Sequence, residues 1–325
     1  MPSRRGLLGA ALAAPFSAIF GARAESWPAR PIRVILPGPV GGLIDIAGRA
    51  IGDVMQKELG QPWLIDPRPG ANGIMAAQMF LATPSDGYTL YLTVSGHVVL
   101  NMLMKAPFDA MADFKPIAML GVSSSVLCVP PALPVNSVAE FVAHAKANPG
   151  KLNYLNPGNG TGGHLIPEQL KAKYGIDITS ISYKGLPAGV QDLLAGRLDL
   201  AVVSTSLIAH HVKAGRVKGI ALVGLKRHDD LPGLATMEEQ GEGALEVRSS
   251  LPLYSQKDLP EPIVQRLNKA TVAALADPET RARLAAAYIE PLPMSPAETG
   301  AAMQAEHDRL CKMIDQLGIK ADGGS

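Results

Sequence analysis

PIRVILPGPVGGLIDIAGRA, residues 31–50, combines a strand pattern, a glycine loop and a helix pattern in one short stretch. The run PIRVIL is β-branched and apolar, as is typical of a buried strand. The glycine-containing segment PGPVGGLID (37–45) follows, and residues 44–59 then repeat apolar side chains at helical spacing until Gly60. The stretch therefore predicts a strand, a tight loop and one helix, a unit from which open α/β sheets are built.

The same arrangement occurs a second time, in NPGNGTGGHL (156–165) after the predicted strand LNYLN. The first turn of a helix leaves backbone N–H groups without partners, and glycines allow a ligand to approach them closely. Neither loop contains Lys or Arg. The pair predicts an anion held by backbone donors and hydroxyls, although each loop alone is also compatible with an ordinary tight turn.

Beyond these loops, short β-branched runs keep alternating with helical patterns, which predicts parallel sheets with helices on their faces. Strands are predicted over YTLYLTV, FKPIAML, ITSISY and GIALVG, and helices over SVAEFVAHAKA and LIAHHVKAG. The tail from Pro262 instead predicts three consecutive helices. We expect the chain to cross between two domains near residues 118–126 and 245–253, where crossing strands form hinges.

The second loop also raises an alternative, because Gly158, Gly160 and Gly163 have the GxGxxG spacing of dinucleotide-binding folds. Such a site needs an acidic residue near the end of the second strand, where it binds the ribose. Here that strand ends in Tyr183, and Asp177 precedes it. An exported nucleotide-cofactor oxidoreductase that uses residues 158–163 is therefore the second hypothesis, and binding without a cofactor is the first.

The first 24 residues, MPSRRGLLGAALAAPFSAIFGARA, have the features of an export signal. Two arginines precede an apolar run, and Ala22 and Ala24 give the small-x-small pattern that signal peptidase cleaves. We expect cleavage near Ala24–Glu25 and a periplasmic protein. The arginine pair is compatible with either the twin-arginine or the general secretory route.

Charge and composition exclude several classes of function. Removing residues 1–24 lowers the formal charge from +1 to −2, and no cluster of Lys and Arg indicates a nucleic-acid surface. About 300 mature residues suit two domains better than one.

No nucleophile elbow or HExxH motif is present, and the adjacent His210 and His211 point in different directions on a helix. We expect no catalysis, no metal and no cofactor, and we expect Cys128 and Cys311 to be buried thiols rather than a disulfide.

From Trp27 to Asp322 the chain resembles the substrate-binding receptors of tripartite tricarboxylate transporters, also called Bug receptors. The resemblance is carried, in order, by WPARPIRVILPGPVGGLIDIAGR, LGQPWLIDPRPGANG, PSDGYTLYL, VNSVAEFVAHAKANPGKLNYLNPGNGTGGHL, ISYKG, DLLAGRLDL, VKAGRVKGIALVG and LADPETRARLAA. It implies the type II periplasmic binding protein fold, in which two α/β domains joined by crossover strands close over a small carboxylate. It also implies delivery of the ligand to a membrane permease or a sensor. We expect domain 1 over residues 25–122 and 247–325, domain 2 over 123–246, and a monomer.

The candidate ligand-binding residues come from the two loops and from the predicted strand ends. Gly41, Gly42, Gly160 and Thr161 are predicted to donate main-chain N–H groups, and Ser95, His97, Tyr183 and Ser204 to line the remainder. Val40, Asp45 and His164 complete the candidate set. Asp45 is also explained as a cap that offsets the helix dipole, and His97 and His164 as loop or cap residues.

Two departures from the family pattern concern the ligand. His97 stands where the family often has Thr, and Val203 stands where many members carry an acid suited to a ligand ammonium. An ammonium without a partner in a closed cleft is costly. The sequence therefore predicts a carboxylate with an apolar body and no amine.

Overall fold

The computed structural model describes residues 27–183, 185–245, 247 and 249–319. The predicted export signal, residues 1–24, lies outside the described residues. No described helix combines the length and apolar character that spanning a bilayer requires.

Strands and helices alternate through most of the chain, and helices dominate its end. The strands are β1 (Ile32–Leu36), β2 (Trp63–Pro67), β3 (Thr89–Leu92), β4 (Phe114–Ser123), β5 (Ser125–Val129), β6 (Leu152–Asn156), β7 (Ile178–Ser182), β8 (Ala201–Ser204), β9 (Lys218–Val223), β10 (Ser249–Gln256) and β11 (Ile289–Pro291). The helices are α1 (Leu43–Ala50), α2 (Gly52–Leu59), α3 (Ile74–Leu81), α4 (Leu100–Leu103), α5 (Val138–Ala147), α6 (Gly162–Tyr174), α7 (Leu186–Leu194), α8 (Thr205–Lys213), α9 (Glu261–Ala276), α10 (Pro278–Ala286) and α11 (Pro296–Gln316).

A six-stranded sheet with the order β11-β4-β10-β3-β1-β2 draws on both ends of the chain. β1 is parallel to β2 and β3. Its residues are buried on both faces: Ile32, Val34 and Leu36 pack in one apolar cluster and Ile35 in another. This double burial explains why PIRVIL is a nearly continuous apolar run.

The middle of the chain forms two smaller sheets. β5 pairs antiparallel with β8 and β9. β6 pairs parallel with β7, and a bridge between Tyr154 and Leu200 connects β6 to the segment before β8. The glycine loop after β6 therefore starts from a different sheet than the glycine loop after β1.

The two crossings between these sheets lie side by side. β4 ends at Ser123 and β5 begins at Ser125, while the returning strand β10 begins at Ser249. β4 and β10 pair antiparallel, from Ser123 opposite Ser249 to Phe114 opposite Gln256. The crossings fall where the sequence predicted them. The exact domain boundaries stay a prediction, and residue 246, beside the second boundary, is outside the described part.

Several sequence predictions need correction. Among the described sheets, the expectation of a parallel sheet holds for β6 and β7 only. The six-stranded sheet is mixed, because β4, β10 and β11 run antiparallel to their neighbours, and the sheet of β5, β8 and β9 is antiparallel throughout. The single helix expected over 44–59 is two helices that meet at Ile51, where the chain keeps near-helical dihedral angles. Strand β11 was not predicted; it pairs with β4 between helices α10 and α11. Cys128 and Cys311 are free thiols, but only Cys128 is fully buried.

Candidate ligand-binding cleft

A cleft of about 860 Å³ lies between the loop after β1 and the loop after β6. Its wall combines these two glycine loops with segments that follow β2, β3 and β7. The lining residues are Pro37, Gly38, Pro39, Gly42, Leu43, Ile44, Pro69, Gly70, Ala71, Asn72, Gly73, Tyr91, Thr93, Val94, Gly96, His97, Leu100, Met104, Pro157, Gly158, Asn159, Gly160, Thr161, Tyr183 and Gly185. The six-stranded sheet and the sheet of β6 and β7 thus each contribute one glycine loop to the same cleft.

Two helices begin at this cleft, α1 after Gly42 and α6 after Thr161. Gly42 and Thr161 are the N-cap residues, and both have extended backbone angles. Neither makes a side-chain capping bond to its helix. The first N–H groups of a helix have no acceptor within it, and the helix dipole places partial positive charge there. Both helix starts are therefore suited to an anion.

The amides that the sequence predicted as donors already have intramolecular partners. Gly42 N–H donates to the Pro39 carbonyl (3.1 Å), and Thr161 N–H donates to the Gly158 carbonyl (3.3 Å). Gly41 N–H donates to Asp45 Oδ2 (2.9 Å), and Gly160 N–H donates to His164 Nδ1 (3.3 Å). These four bonds shape the loops. The first residues within the helices are Leu43 and Ile44 in α1 and Gly162 and Gly163 in α6. Of these four, Leu43 and Ile44 are among the lining residues.

Asp45 and His164 occupy equivalent places, each accepting the N–H four residues earlier in its loop. Asp45 is buried and also pairs with Arg49 at 3.0 Å. Burial raises the pKa of the Asp45 carboxyl, but the bonds from Arg49 and from Gly41 N–H outweigh it, so the net pKa lies below the usual value. Neither Asp45 nor His164 is on the cleft wall. Each instead stabilises its own loop by accepting a hydrogen bond from a loop amide. This agrees with their interpretation as loop or cap residues.

His97 is on the wall and is almost fully buried, with 3% of its surface exposed. Its ring lies 4.4 Å from the ring of Phe114 and 5.4 Å from that of Tyr91, centroid to centroid. Burial lowers the pKa of His97 to about 3, and the nearby backbone of Ala110 opposes this only in part. The imidazole is therefore neutral at physiological pH.

The other candidates divide between the wall and its surroundings. Tyr183 is on the wall, and its hydroxyl donates to Asp192 Oδ2 at 2.7 Å. Val40 is 73% exposed and is not on the wall. Ser95 is buried and accepts a bond from Ser250 N–H at 3.3 Å, and Ser204 is the N-cap of α8. Neither serine is among the lining residues, because strand-end position alone does not determine which loop faces the cleft.

The lining residues in the described part of the chain include no Asp, Glu, Lys or Arg. The polar groups there are hydroxyls, side-chain amides and the neutral ring of His97. The described residues also contain no cluster of three His, Cys, Asp or Glu side chains suited to a metal ion. Backbone groups and helix dipoles are the main electrostatic features of the described wall.

The two sides of the cleft touch each other. Gly160 packs directly against Leu103 and Val99, so that a Cβ atom at Gly160 would overlap Leu103. A Cβ atom at Gly158 would lie 3.3 Å from Asn72 Oδ1. The glycines of the second loop therefore allow close contact between the two walls.

Sequence reasoning missed part of the wall on the six-stranded sheet's side. Tyr91 and Thr93 lie at the carboxyl end of β3, where α/β sheets place their ligands, and this rule could have identified them. Segment 69–73 was missed because it has no helix or strand pattern. It depends on Ala71 and Asn72 adopting positive φ angles of 44° and 51°.

Comparison with known proteins identifies the family. Residues 47–319 match the tripartite tricarboxylate transporter family receptor model. The chain belongs to this family. A UPF0065 protein of Cupriavidus necator is 36% identical over 92% of this chain and 90% of its own length. Among solved structures, R. palustris Rpa4515 with adipate superposes with a TM-score of 0.83 at 30% identity, covering 91% of this chain and 99% of that one.

The periplasmic binding protein BugD superposes with a TM-score of 0.81 at 27% identity, covering 91% of this chain and 100% of that one. This receptor of the tripartite tricarboxylate transporter family thus has the type II periplasmic binding protein fold predicted from the sequence. The oxidoreductase hypothesis is not supported. In this GxGxxG loop, Gly160 is in close contact with Leu103.

Proposed function

We propose that this receptor captures a small organic carboxylate between its two domains in the periplasm. The observation that carries the proposal is the convergence of two helix starts without side-chain caps, α1 and α6, on one cleft. Family membership and the similarity to Rpa4515, which was solved with adipate, support a carboxylate as the ligand class.

The carboxylate would accept N–H groups from Leu43 and Ile44 on one side and from Gly162 and Gly163 on the other. A hydrogen bond to a charged group contributes roughly 1.5–3 kcal/mol net. Three or four such bonds are sufficient for micromolar binding, which requires about 8 kcal/mol. Bonds from both sides would also favour the closed arrangement of the cleft, because each side satisfies only part of the anion.

We infer that the protein performs no chemistry on its ligand. The family is one of receptors, and the described wall offers helix starts and uncharged side chains rather than a nucleophile beside a base. Closure around the ligand would create the surface that the permease subunits of a tripartite transporter, or a sensor protein, recognise. The receptor is expected to act as a monomer after cleavage of its export signal.

A thermal-shift screen against mono-, di- and tricarboxylates tests this function. A ligand present at 100 times its dissociation constant adds about 2.7 kcal/mol of stability, so a specific acid should raise the melting temperature by several degrees. A flat screen would contradict the receptor function. Nicotinamide or flavin absorbance in the purified protein would revive the oxidoreductase hypothesis.

A matched pair of variants at Leu43 tests the role of the helix start. Leu43→Pro removes the first N–H of α1, and proline suits this position because Gly42 before it is extended. Leu43→Ala keeps the N–H and shortens the same side chain. We expect the proline variant to bind the acid about 10- to 100-fold more weakly than the alanine variant. Equal affinity of the two variants would show that the anion is bound elsewhere.

A further inference from the structure

His97 combines three properties that are rarely found together. The ring lines the cleft, the residue is only 3% exposed, and neither Nδ1 nor Nε2 has a hydrogen-bond partner among the described residues. The backbone of Ala110 acts on the ring electrostatically without hydrogen-bonding geometry. Buried polar groups in native proteins are nearly always paired, so an unpaired one requires an explanation.

The surroundings of the ring are mainly aromatic. Phe108 and Phe114 pack against it from within the domain, with ring centroids 6.2 and 4.4 Å away. Tyr91 and Tyr254 lie 5.4 and 5.9 Å away on other sides. Such aromatic walls favour apolar contact, and a stable water needs two or more polar partners. The cleft, which His97 lines, is a direction from which a ligand can approach the ring.

A neutral imidazole has one donor and one acceptor nitrogen. Near it on the wall are the hydroxyls of Tyr91 and Thr93, and the described lining residues include no Lys or Arg. A second carboxylate of a ligand would have no cation among the described lining residues, and an unpaired charge is costly in a closed cleft. An uncharged oxygen that accepts or donates a hydrogen bond matches the ring without this cost.

We propose that His97 is a specificity-determining residue, which selects a monocarboxylate carrying an uncharged hydroxyl or carbonyl oxygen at the end remote from the carboxylate. This inference rests on the proposed function, since the helix starts hold the carboxylate. Both ring nitrogens are shielded from solvent in the structure. The proposed contact therefore requires the ring to rotate about the bond that joins it to Cβ, a torsion with a broad energy minimum.

The test compares acids that differ only at the remote end: hexanoate, 6-hydroxyhexanoate and adipate, together with butanoate, 4-hydroxybutanoate and succinate. Affinities are measured by calorimetry on the full mature chain. At the length that binds best, we expect the hydroxy acid to bind about tenfold more tightly than both the plain acid and the diacid.

Substitutions at His97 identify the residue that produces this preference. His97→Phe keeps an aromatic ring without nitrogens and should abolish the preference for the hydroxy acid, whereas His97→Gln should retain part of it. His211→Phe is the matched control, because His211 is also a buried histidine whose Nδ1 has no partner among the described residues but is not on the cleft wall. This control should keep the full preference.

The outcomes separate the two proposals. If the plain acid or the diacid binds as tightly as the hydroxy acid, the receptor function stands and the role of His97 is wrong. The same conclusion follows if His97→Phe and His97→Gln both keep the wild-type preference. If none of the acids binds, the proposed function itself is contradicted, and the inference about His97 with it. If His97→Phe does not fold, the smaller change to Gln decides: an unchanged preference in that variant overturns the inference.

Discussion

Gly160 and Leu103 are in direct contact across the cleft, and there is no room for a side chain at Gly160. Gly160 belongs to the loop after β6, whereas Leu103 ends helix α4 in the connection between β3 and β4. The contact thus joins elements of the two predicted domains. A residue larger than glycine at this position should therefore hold the cleft open.

The variant Gly160→Ala tests this relationship. We expect it to weaken ligand binding at least tenfold, because the added methyl group overlaps Leu103. The φ angle of +80° at this residue adds backbone strain of about 1 kcal/mol for alanine. Calorimetry measures the affinity, and thermal unfolding measures the stability.

The control Gly175→Ala has a similar φ of +64°, with no described atom within 4 Å of the added Cβ. It should lose comparable stability and keep ligand affinity. Normal affinity in Gly160→Ala would mean that the contact with Leu103 is not needed for binding.

Asp45 links the loop after β1 to helix α1. Its replacement should change how the free energy of unfolding depends on pH in the acidic range. Its pKa is lower in the folded state than in the unfolded chain, where it is about 3.9. The carboxylate therefore stabilises the fold above about pH 4, and this contribution is lost as pH falls through the folded-state pKa. We expect Asp45→Asn to cost about 1–2 kcal/mol at pH 7.

Urea unfolding at pH 7 and below pH 4 checks this expectation. The difference between wild type and Asp45→Asn should shrink on acidification. A difference of the same size at both pH values would mean that the charge of Asp45 does not contribute.

His97 should lower the stability of the fold as the pH falls below about 6.5, a higher pH range than the one in which Asp45 acts. Its pKa is about 3 in the fold because of burial, against about 6.5 in the unfolded chain. Below that upper value the unfolded chain gains a proton that the folded protein does not, so stability falls with pH. The loss from this residue is about 1.4 kcal/mol per pH unit until pH approaches the folded-state pKa. In His97→Phe, the stability profile between pH 6 and pH 4 should be flatter, and a profile parallel to wild type would refute the assignment.

The two cysteines should differ in reactivity. Burial raises the pKa of the Cys128 thiol, and it also raises that of Cys311, with Asp315 and Asp308 adding to the effect. Cys128 is buried, whereas Cys311 is partly exposed and lies 3.4 Å from His307 Nε2. We expect a thiol reagent to modify Cys311 slowly in the native protein and both thiols in denaturant.

The variant Cys311→Ser should remove the native-state reaction without changing the reaction of Cys128 after unfolding. Detection of an intramolecular disulfide by mass spectrometry would contradict the free thiols of the structure.

The sequence predicted the parts of the fold that local patterns specify. The units β1–α1 and β6–α6 each have an apolar run, a glycine turn and a helical repeat within about twenty residues, and all of these are short-range signals. Strand β11 was missed because it is short and exists through pairing with the distant β4. The antiparallel arrangement of β4 and β10 likewise depends on long-range pairing that periodicity does not encode.

The cleft was predicted in location more than in detail. Gly42, His97, Gly160, Thr161 and Tyr183 are on its wall. The amides of Gly42 and Thr161, which the sequence predicted as donors to the ligand, already donate to carbonyls within their own loops. Which of two neighbouring N–H groups is left for a ligand depends on dihedral angles that composition does not determine. The binding roles of these residues stay predictions.

The described wall of the cleft, without a charged side chain, has a consequence for how quickly a ligand is captured. The partial charges at the starts of α1 and α6 act within about one helical turn, so they offer little long-range attraction to an approaching anion. Association should therefore change by less than about twofold between low and physiological ionic strength. In such a receptor, discrimination between acids resides in how long each complex lasts, and the dissociation rate is the quantity that distinguishes a preferred acid from a poor one.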